Sequence, residues 1–432
     1  MDLNDPLGTE HMTTATLQRL KGMHDILPAD SPQWQTVEQT AQRLFTAAGY
    51  QEIRTPLLES LALFQRGVGD DTDIVSKEMY AFEKGDRALA LRPEGTAGVV
   101  RAFIENGLTR APKPFKCYYH GPMFRYERPQ AGRQRQFHQL GIEAFGVAHP
   151  AMDAEVIGLA WQLLQLLGVQ GLTLHLNNIG DLASREAFRT DLKTCLAPHH
   201  DALSVTSQER LSRNAFRILD SKAPEDQAIL ALPEIQACIT SPWQSPESRD
   251  AFAVVCDLLA AQGIPYTLAP TLVRGLDYYN ATVFEITATH LGAQNAVCGG
   301  GRYDSLVETL GGPATPAVGW GLGLERLLQL IPPSNTPERK AYFVTDCWAE
   351  ALPLAQQWRT LGWQIELDCT GRSFGKQLQA ADKQGFAVAL ILGADDAAQQ
   401  CIQWKDLKVH TSQTLGWNDV PQALAIHQNA SR

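Results

Sequence analysis

The stretch from Tyr118 to Gly146 constrains the fold of this chain more than any other. Its two ends, YYHGPMF and QFHQLGIEAFG, are rich in apolar and aromatic residues, and a polar segment containing Gly132 joins them. Two such runs around a glycine-containing polar segment predict a long β-hairpin. Four arginines lie within this hairpin: Arg125, Arg128, Arg133 and Arg135. Because a guanidinium can bind phosphate oxygens through two parallel hydrogen bonds, the hairpin is suited to a polyanion.

Side chains along the hairpin alternate between its two faces, since a β-strand has a period of two. One face therefore carries Arg125, Glu127, Phe137, Gln139 and Glu143. A solvated surface ribbon is the simpler alternative. Such a ribbon does not need an aromatic ring among charges of both signs, so we interpret this face as part of a ligand site.

Composition limits the class of protein. The chain has 432 residues, enough for two or three domains, and a net charge of −10, which permits a local basic groove. Its eight cysteines include no C-x-x-C pair, which argues against a disulfide framework or a zinc site and favours the cytoplasm. No apolar run reaches the roughly 18 residues of a membrane span, and residues 1–15 are expected to be a disordered extension without a signal peptide.

The chain before and after the hairpin alternates between helical and extended patterns. An apolar helical stripe follows Ser31, and residues 50–58 predict a strand in which Pro56 suits an edge or an interface. Asp153 is expected to cap a helix that ends near residue 167. Residues 181–262 show short helical patterns and no convincing strand, so we expect a helical insertion there.

Strand character returns at 271–287. Residues 317–330 predict a glycine-rich strand that leads into a helix, and the glycines at 319, 321 and 323 allow something to approach the backbone closely. Their spacing is not G-x-G-x-x-G and no Walker lysine follows, which excludes Rossmann and P-loop nucleotide sites. Beyond a linker at 331–340, alternating strands and helices predict a small α/β domain.

Four polar stretches stand apart from these elements: Glu94 with Thr96, the arginine hairpin, Arg274 with Tyr278 and Tyr279, and Arg326. Taken singly, each has a simpler explanation, such as a helix cap, a surface charge or ordinary strand aromatics. Together they favour chemistry at a nucleotide phosphate, because arginines can hold a triphosphate and the charge that builds at its α-phosphorus. A substrate carboxylate is already a nucleophile, so no Ser-His-Asp arrangement is required.

The most specific of these residues also resemble a known family. Six stretches, KGMHDILP, RPEGTAG, GPMFRYERPQAGRQRQFHQLGIEAFG, VRGLDYYNATVFEI, GGGRYD and GLGLERL, are similar to those of bacterial histidyl-tRNA synthetases, which are class II aminoacyl-tRNA synthetases. RGLDYYN and GGGRYD resemble signatures particular to the histidine enzymes. The later stretch GRSFGKQLQAADKQGFAVALILG resembles the anticodon-binding domain of the family. The resemblance covers about residues 19–430.

The resemblance implies an α+β catalytic domain over 16–330, in which an antiparallel sheet flanked by helices carries the insertion at 181–262. An α/β anticodon-binding domain would occupy 341–432. Residues 32–60 would form the first class II motif, at a homodimer interface around Pro56. The hairpin would be the second motif and residues 317–330 the third.

It also implies a reaction: ATP-dependent ligation of L-histidine to tRNA(His) through histidyl-adenylate, with release of AMP and pyrophosphate. Arg125 and Arg274 would be catalytic, on opposite sides of the α-phosphate. The implied ATP site comprises Arg125, Glu127, Arg133, Phe137 and Arg326, with adenine between Phe137 and Arg326. The implied histidine site comprises Glu94, Thr96, Gln139, Glu143, Tyr278 and Tyr279. Arg128 and Gln130 would approach the acceptor end of the tRNA, and Mg²⁺ would accompany the ATP phosphates without an assigned protein ligand.

Three alternatives remain open at this point. A regulatory subunit of ATP phosphoribosyltransferase is built on the same catalytic fold. Such a subunit is expected to lack an anticodon-binding domain, whereas this chain has a C-terminal α/β domain that resembles one. A class II synthetase for proline or threonine is disfavoured by RGLDYYN and GGGRYD. A structural or signalling protein derived from a synthetase has no distinguishing sequence feature.

Overall fold

A computed structural model describes residues 17–69, 72, 74–129, 132–289, 295–332 and 340–430. The chain divides into two compact units, with the boundary between residues 333 and 334. None of the helices in these ranges is both long enough and apolar enough to span a membrane. The predicted extension at 1–15, most of the linker and Gln130 lie outside the described residues.

Eleven strands form the first unit's sheets. They are β1 (Gln51–Glu52), β2 (Leu58–Ser60), β3 (Ala81–Lys84), β4 (Arg87–Leu91), β5 (Phe115–Phe124), β6 (Gln136–Phe145), β7 (Leu172–Asn178), β8 (Tyr266–Leu268), β9 (Asn280–Ala288), β10 (Ala296–Arg302) and β11 (Ala317–Gly323).

The helices of the same unit surround these strands. They are α1 (Ser31–Ala47), α2 (Leu61–Val68), α3 (Thr96–Glu105), α4 (Ala151–Leu166), α5 (Leu182–Leu196), α6 (Val205–Arg213), α7 (Pro224–Leu230), α8 (Pro233–Thr240), α9 (Pro246–Ala261), α10 (Leu306–Thr309) and α11 (Leu324–Leu327). Helices α5 to α9 occupy the stretch where the sequence predicts a helical insertion.

The main sheet has eight strands in the order β1-β5-β6-β11-β10-β9-β7-β8. Its six central strands are antiparallel, as the sequence predicts, whereas the edge strands β1 and β8 pair in parallel. The arginine hairpin is confirmed as β5 and β6, which pair from Phe115 opposite Phe145 to Phe124 opposite Gln136. A separate three-stranded sheet has the order β2-β4-β3.

Each face of the main sheet carries its own apolar core. On one face, α1, α4 and α9 cover buried side chains such as Phe45, Ile157 and Phe284. Trp320 of β11 lies in this core, where its indole N–H donates to the carbonyl of Val156 at 2.9 Å. The opposite face packs against α3 and the insertion, whose Phe216 shares this second core. Tyr278 and Tyr279 belong to this second core.

Three local predictions differ from the structure. Residues 50–58 form two short strands with an irregular segment around Pro56, and this segment belongs to no sheet. Residues 271–279 precede β9 and are not a strand, so Arg274, Tyr278 and Tyr279 lie on a loop. Asp153 does not cap α4: it lies in the first turn, almost fully buried, and its carboxylate accepts two hydrogen bonds from Arg302. The second and third departures involve contacts with distant residues: Arg185 and Arg217 donate to the loop before β9, and Arg302 pairs with Asp153.

The second unit has a five-stranded mixed sheet in the order β13-β12-β14-β15-β16. Its strands are β12 (Lys340–Thr345), β13 (Gln364–Leu367), β14 (Val388–Leu392), β15 (Cys401–Asp406) and β16 (Ser412–Gly416). Its helices are α12 (Trp348–Thr360), α13 (Phe374–Lys383), α14 (Ala394–Ala398) and α15 (Val420–Ala430). The α/β alternation predicted up to residue 392 is confirmed, because β12, β13 and β14 pair in parallel through helical crossovers.

The buried ion pair between Asp153 and Arg302 generates a stability prediction. Replacing Asp153 with alanine leaves a nearly buried guanidinium without its principal counter-ion. We expect the free energy of unfolding to fall by about 3–5 kcal/mol, measured by urea denaturation followed by circular dichroism. Glu105→Gln is the matched control, since it breaks an exposed pair with Arg101 and should cost less than about 1 kcal/mol. Equal losses in the two variants would contradict this account.

Candidate active site

Two adjoining cavities open at the centre of the main sheet. The larger has a volume of about 320 Å³ and the smaller about 150 Å³. Both are lined by Arg125, Gln139 and Arg274, which therefore stand where the cavities meet. The hairpin brings the first two of these residues, and the loop before β9 brings the third.

The larger cavity gathers all five residues predicted to bind ATP, and it is lined by Arg125, Glu127, Arg133, Phe137 and Arg326. Arg125 donates from Nε to the carbonyl of Pro93 at 2.8 Å, and its guanidinium carbon lies 5.3 Å from the centre of the Phe137 ring. Arg133 donates to the Glu127 carboxylate at 2.9 Å. The basic groups are thus held in place by neighbours at the cavity wall.

Arg326 is the wall residue contributed by the glycine-rich element. It donates to the carbonyl of Ala296 at 2.9 Å and to that of Gly132 at 3.2 Å. Two backbone acceptors orient the guanidinium, so Arg326 is a fixed side chain at the cavity wall.

Arg274 projects from its loop between the two cavities. Its guanidinium donates to the Glu285 carboxylate at 2.9 Å, and its Nε is buried without a hydrogen-bond partner among the described residues. The guanidinium passes over Gly299, where a Cβ would come within 2.2 Å of it. A side chain at position 299 would therefore displace the Arg274 guanidinium from this position.

The smaller cavity gathers five of the six residues predicted to bind histidine, and it is lined by Glu94, Thr96, Gln139, Tyr278 and Tyr279. The Glu94 carboxylate accepts hydrogen bonds from the backbone N–H groups of Thr96 and Ala97, at 2.8 and 2.7 Å. Glu94 therefore caps helix α3, as the simpler interpretation has it, and it also lines the cavity.

Glu143, the sixth residue predicted to bind histidine, is buried and is not among the residues that line the smaller cavity. Its carboxylate accepts hydrogen bonds from the hydroxyl of Thr96, at 2.8 Å, and from that of Tyr303. Burial is the main cause that raises the pKa of Glu143 to about 8, against the lowering effect of those two hydrogen bonds. Burial also raises the pKa of Glu94, although its backbone hydrogen bonds oppose the shift.

The alternate glycines of β11 make room for the side chains of β6. Gly319 pairs with Glu143, Gly321 with Gly141 and Gly323 with Gln139. A Cβ at Gly319 would lie 1.8 Å from the Glu143 carboxylate, and one at Gly321 would lie 2.4 Å from the Gln139 amide. At Gly319 and Gly321 the predicted close approach is therefore made by side chains of the site itself, whereas the space beside Gly323 is open.

Two tyrosines of the site were not singled out by the sequence. Tyr303 follows the glycine triplet and binds Glu143. Tyr119 lies on β5 opposite Gly141, and its buried hydroxyl has no hydrogen-bond partner among the described residues. The alternation of side chains along β5 would have indicated Tyr119, because Tyr119 lies on the same face as Cys117, and Cys117 pairs with Glu143. The signal for Tyr303 was its place in GGGRYD.

The remaining predictions concern tRNA and metal. Arg128 is exposed near the tip of the hairpin and lines neither cavity, and Gln130 lies outside the described residues. Within the described ranges, His, Cys, Asp and Glu side chains form no group of three or more suited to a metal ion. Single carboxylates do line the larger cavity, among them Glu127, Asp220 and Glu285.

The raised pKa of Glu143 predicts how stability depends on pH. An unfolded glutamate has a pKa near 4.3, so between about pH 4 and pH 8 the folded state keeps a proton that the unfolded state has lost. This contribution is fully present below about pH 4 and is lost as the pH rises through about 8. Replacing Glu143 with glutamine removes the titration, so the variant should gain several degrees of Tm relative to wild type from pH 5 to pH 9.

Differential scanning fluorimetry at the two pH values measures this shift. Glu308→Gln removes an exposed carboxylate and should keep the same offset from wild type at both. A constant offset for the Glu143 variant would contradict the assigned proton.

The chain is similar to known proteins over most of its length. The profile of the family "Histidyl-tRNA synthetase" matches residues 22–327, and that of "Anticodon binding domain" matches residues 329–425. The histidine–tRNA ligase of Synechococcus elongatus is 49% identical over 415 residues, 94% of each chain. That of Thermosynechococcus vestitus is 50% identical over 396 residues, which cover 90% of this chain and 92% of its own.

A solved structure agrees with this similarity. The crystal structure of apo histidyl-tRNA synthetase from S. aureus is 33% identical and superimposes with a TM-score of 0.77, covering 94% of this chain and 99% of its own. Sequence and structure therefore agree over both units, and the chain belongs to the histidyl-tRNA synthetase family.

Proposed function

We propose that this protein catalyses the ATP-dependent ligation of L-histidine to tRNA(His). The reaction passes through histidyl-adenylate and releases AMP and pyrophosphate. One observation carries the proposal: two cavities with different linings meet at Arg125 and Arg274. A nucleotide in the larger cavity and an amino acid in the smaller would bring their reacting groups together between these two arginines.

Adenylate formation needs positioning and charge stabilisation more than it needs a protein nucleophile. The histidine carboxylate attacks the α-phosphorus in line, and pyrophosphate leaves. Arg125, on the hairpin, donates a hydrogen bond to the carbonyl of Pro93. Arg274, on the loop, donates one to the carboxylate of Glu285. In our proposal the two guanidiniums hold the α-phosphate from opposite sides and stabilise the charge that develops on its oxygens.

The larger cavity accounts for the nucleotide. Phe137 supplies a stacking face for adenine, and the guanidinium plane of Arg326, oriented by two carbonyls, is proposed to cover the opposite face of the base. Glu127 and Arg133 complete this site. Mg²⁺ is proposed to arrive with the ATP phosphates, since it usually takes only one or two protein carboxylates, and Glu127 and Glu285 are at the wall to supply them.

The smaller cavity accounts for histidine. Glu94 is proposed to accept hydrogen bonds from the amine or the imidazole, and Gln139, Tyr278 and Tyr279 supply polar and aromatic contacts. Glu143 acts from behind the wall, through the hydroxyl of Thr96. Such a lining of hydrogen-bonding groups penalises an apolar amino acid of similar size, because the buried polar groups would be left unpaired.

Transfer to tRNA involves parts further from the cavities. Arg128, exposed on the hairpin, and Gln130 are proposed to approach the acceptor end of the tRNA. The second unit is proposed to bind the anticodon, on the strength of the anticodon-binding profile over residues 329–425.

A homodimer in the cytoplasm is the proposed form of the protein. The segment around Pro56 exposes Leu57 and Leu58, each to 42%, and Phe82 of the neighbouring small sheet is 47% exposed. Clustered apolar side chains at a surface are typical of protein interfaces. Leu57 and Leu58 fall within residues 32–60, the stretch that the family resemblance assigns to the first class II motif and to dimerisation, whereas Phe82 lies beyond it.

The substrate is tested first by pyrophosphate exchange into ATP, run with purified protein, Mg²⁺ and each of the twenty amino acids in turn. We expect exchange with histidine alone, because only its side chain satisfies the lining of the smaller cavity. Exchange with another amino acid would retain the chemistry and overturn the specificity. No exchange from folded protein would favour a regulatory or signalling role.

Arg274→Ala tests the catalytic assignment. Loss of a guanidinium that stabilises the transition state should lower the kcat of histidine-dependent exchange by about 10²–10³-fold, while the circular dichroism spectrum stays unchanged. Arg249→Ala is the control, because it removes the same charge from an exposed position on α9. A kcat near wild type for Arg274→Ala would show that the assigned role is wrong.

A further inference from the structure

The loop at residues 273–279, which carries Arg274, Tyr278 and Tyr279, has no strand partner to fix its conformation. Its backbone carbonyls instead accept hydrogen bonds from side chains of the helical insertion. Gly275, Asp277 and Tyr279 are the acceptors. These contacts connect the insertion directly to the loop that carries the site residues.

Arg185, in the first turn of α5, makes the first set of contacts. Its guanidinium donates to the carbonyls of Tyr279 and Asp277, to the latter from both terminal nitrogens at 3.3 Å. The turn itself is fixed, because the Asp181 carboxylate accepts from the Ser184 N–H at 2.9 Å and from the Ser245 hydroxyl at 2.6 Å. Arg185 therefore reaches the end of the loop from a rigid base.

Residues 214–220, in the middle of the insertion, make the second set. Asn214 donates from its amide to the Asp277 carboxylate at 3.1 Å. Arg217 donates to the carbonyl of Gly275, the residue next to Arg274, and its guanidinium lies 3.9 Å from the Asp277 carboxylate. Asp220, three residues further along, lines the larger cavity beside Arg274. This segment thus touches the loop and the cavity together.

The segment is also anchored to the body of the protein. Phe216 and Ile218 are buried in the core that covers this face of the sheet. The Phe216 ring lies 5.6 Å from the guanidinium carbon of Arg185, so the two sets of contacts pack against each other. We define Arg185 and residues 214–220 together as the insertion clasp.

We propose that the insertion clasp positions the loop for adenylate formation, with Arg185, Asn214 and Arg217 as positioning residues that act through Arg274 and the two tyrosines. The inference rests on the proposed function. Glu285 holds the guanidinium end of Arg274, whereas Arg217 holds its backbone end through Gly275. Both ends must be fixed, because a displacement of about 1 Å at a reacting group can cost roughly 10²-fold in rate.

A purely structural role for the clasp predicts different behaviour. Loss of packing would lower Tm and the fraction of active protein, and its effect would multiply with that of any other mutation. If the clasp acts through Arg274, mutating the clasp should lower kcat in the wild-type background but not in a protein that already lacks Arg274. The effects of mutations on kcat are not additive when the residues work as one unit. Action through Arg274 also predicts rescue by lysine, which can keep one donor to the Gly275 carbonyl.

The test compares Arg217→Ala, Arg217→Lys, Arg274→Ala and the Arg217→Ala/Arg274→Ala double variant in histidine-dependent pyrophosphate exchange. We expect Arg217→Ala to lower kcat by about 10–100-fold, Arg217→Lys to recover most of the loss, and the double variant to be no slower than Arg274→Ala. Arg189→Ala is the control and should leave kcat unchanged, because this arginine lies one turn further along α5 and pairs with Glu186. A kcat near wild type for Arg217→Ala, or losses that multiply in the double variant, would overturn the inference.

Amide hydrogen exchange of residues 275–279 gives a readout that does not need activity. Arg217→Ala should exchange faster there than wild type, and Arg189→Ala should not. If wild type itself failed to support exchange with histidine, the proposed function would fail, and unchanged protection of the loop in Arg217→Ala would then overturn the clasp as well. Should Arg217→Ala fold poorly, Asn214→Ala, which removes the amide donor to Asp277, carries the same two measurements: a lower kcat and faster exchange of residues 275–279 are expected, and wild-type values for both would overturn the inference.

Discussion

The pairing of β6 with β11 is the constraint on which the site depends. Along this pair, Glu143 and Gln139 face glycines at 319 and 323, and Gly141 faces Gly321. Any side chain at Gly319 or Gly321 would occupy the space of the Glu143 carboxylate or the Gln139 amide. The antiparallel register of β6 and β11 therefore decides where the polar groups of the two cavities lie.

Much of this arrangement was predictable from local patterns. The period of two on the hairpin placed Arg125, Phe137 and Gln139 on one face, and the structure brings them to the cavity walls. The glycine-rich strand and the α/β alternation of the second unit were also recognisable. These features depend on side chains close in sequence, or on pairings that a hairpin imposes.

What escaped prediction depends on contacts between distant residues. The run at 271–279 has the β-branched and aromatic residues of a strand, yet hydrogen bonds from Arg185 and Arg217 hold it as a loop. Asp153 is of a residue type that often caps helices, but it is buried and forms an ion pair with Arg302, which is far away in the sequence. From the sequence, Tyr303 could equally be an ordinary core residue. Only the three-dimensional structure shows that its hydroxyl donates a hydrogen bond to the Glu143 carboxylate.

The burial of Glu143 behind Thr96 has a consequence for how the smaller cavity handles charge. A cationic ligand that entered would favour the ionised form of this carboxylate and so draw its pKa down from about 8. Near neutral pH, ligand uptake would then be accompanied by release of a proton, with no side chain having to move. The bound cation would thus replace the proton of Glu143, and the net charge inside the cavity would stay the same.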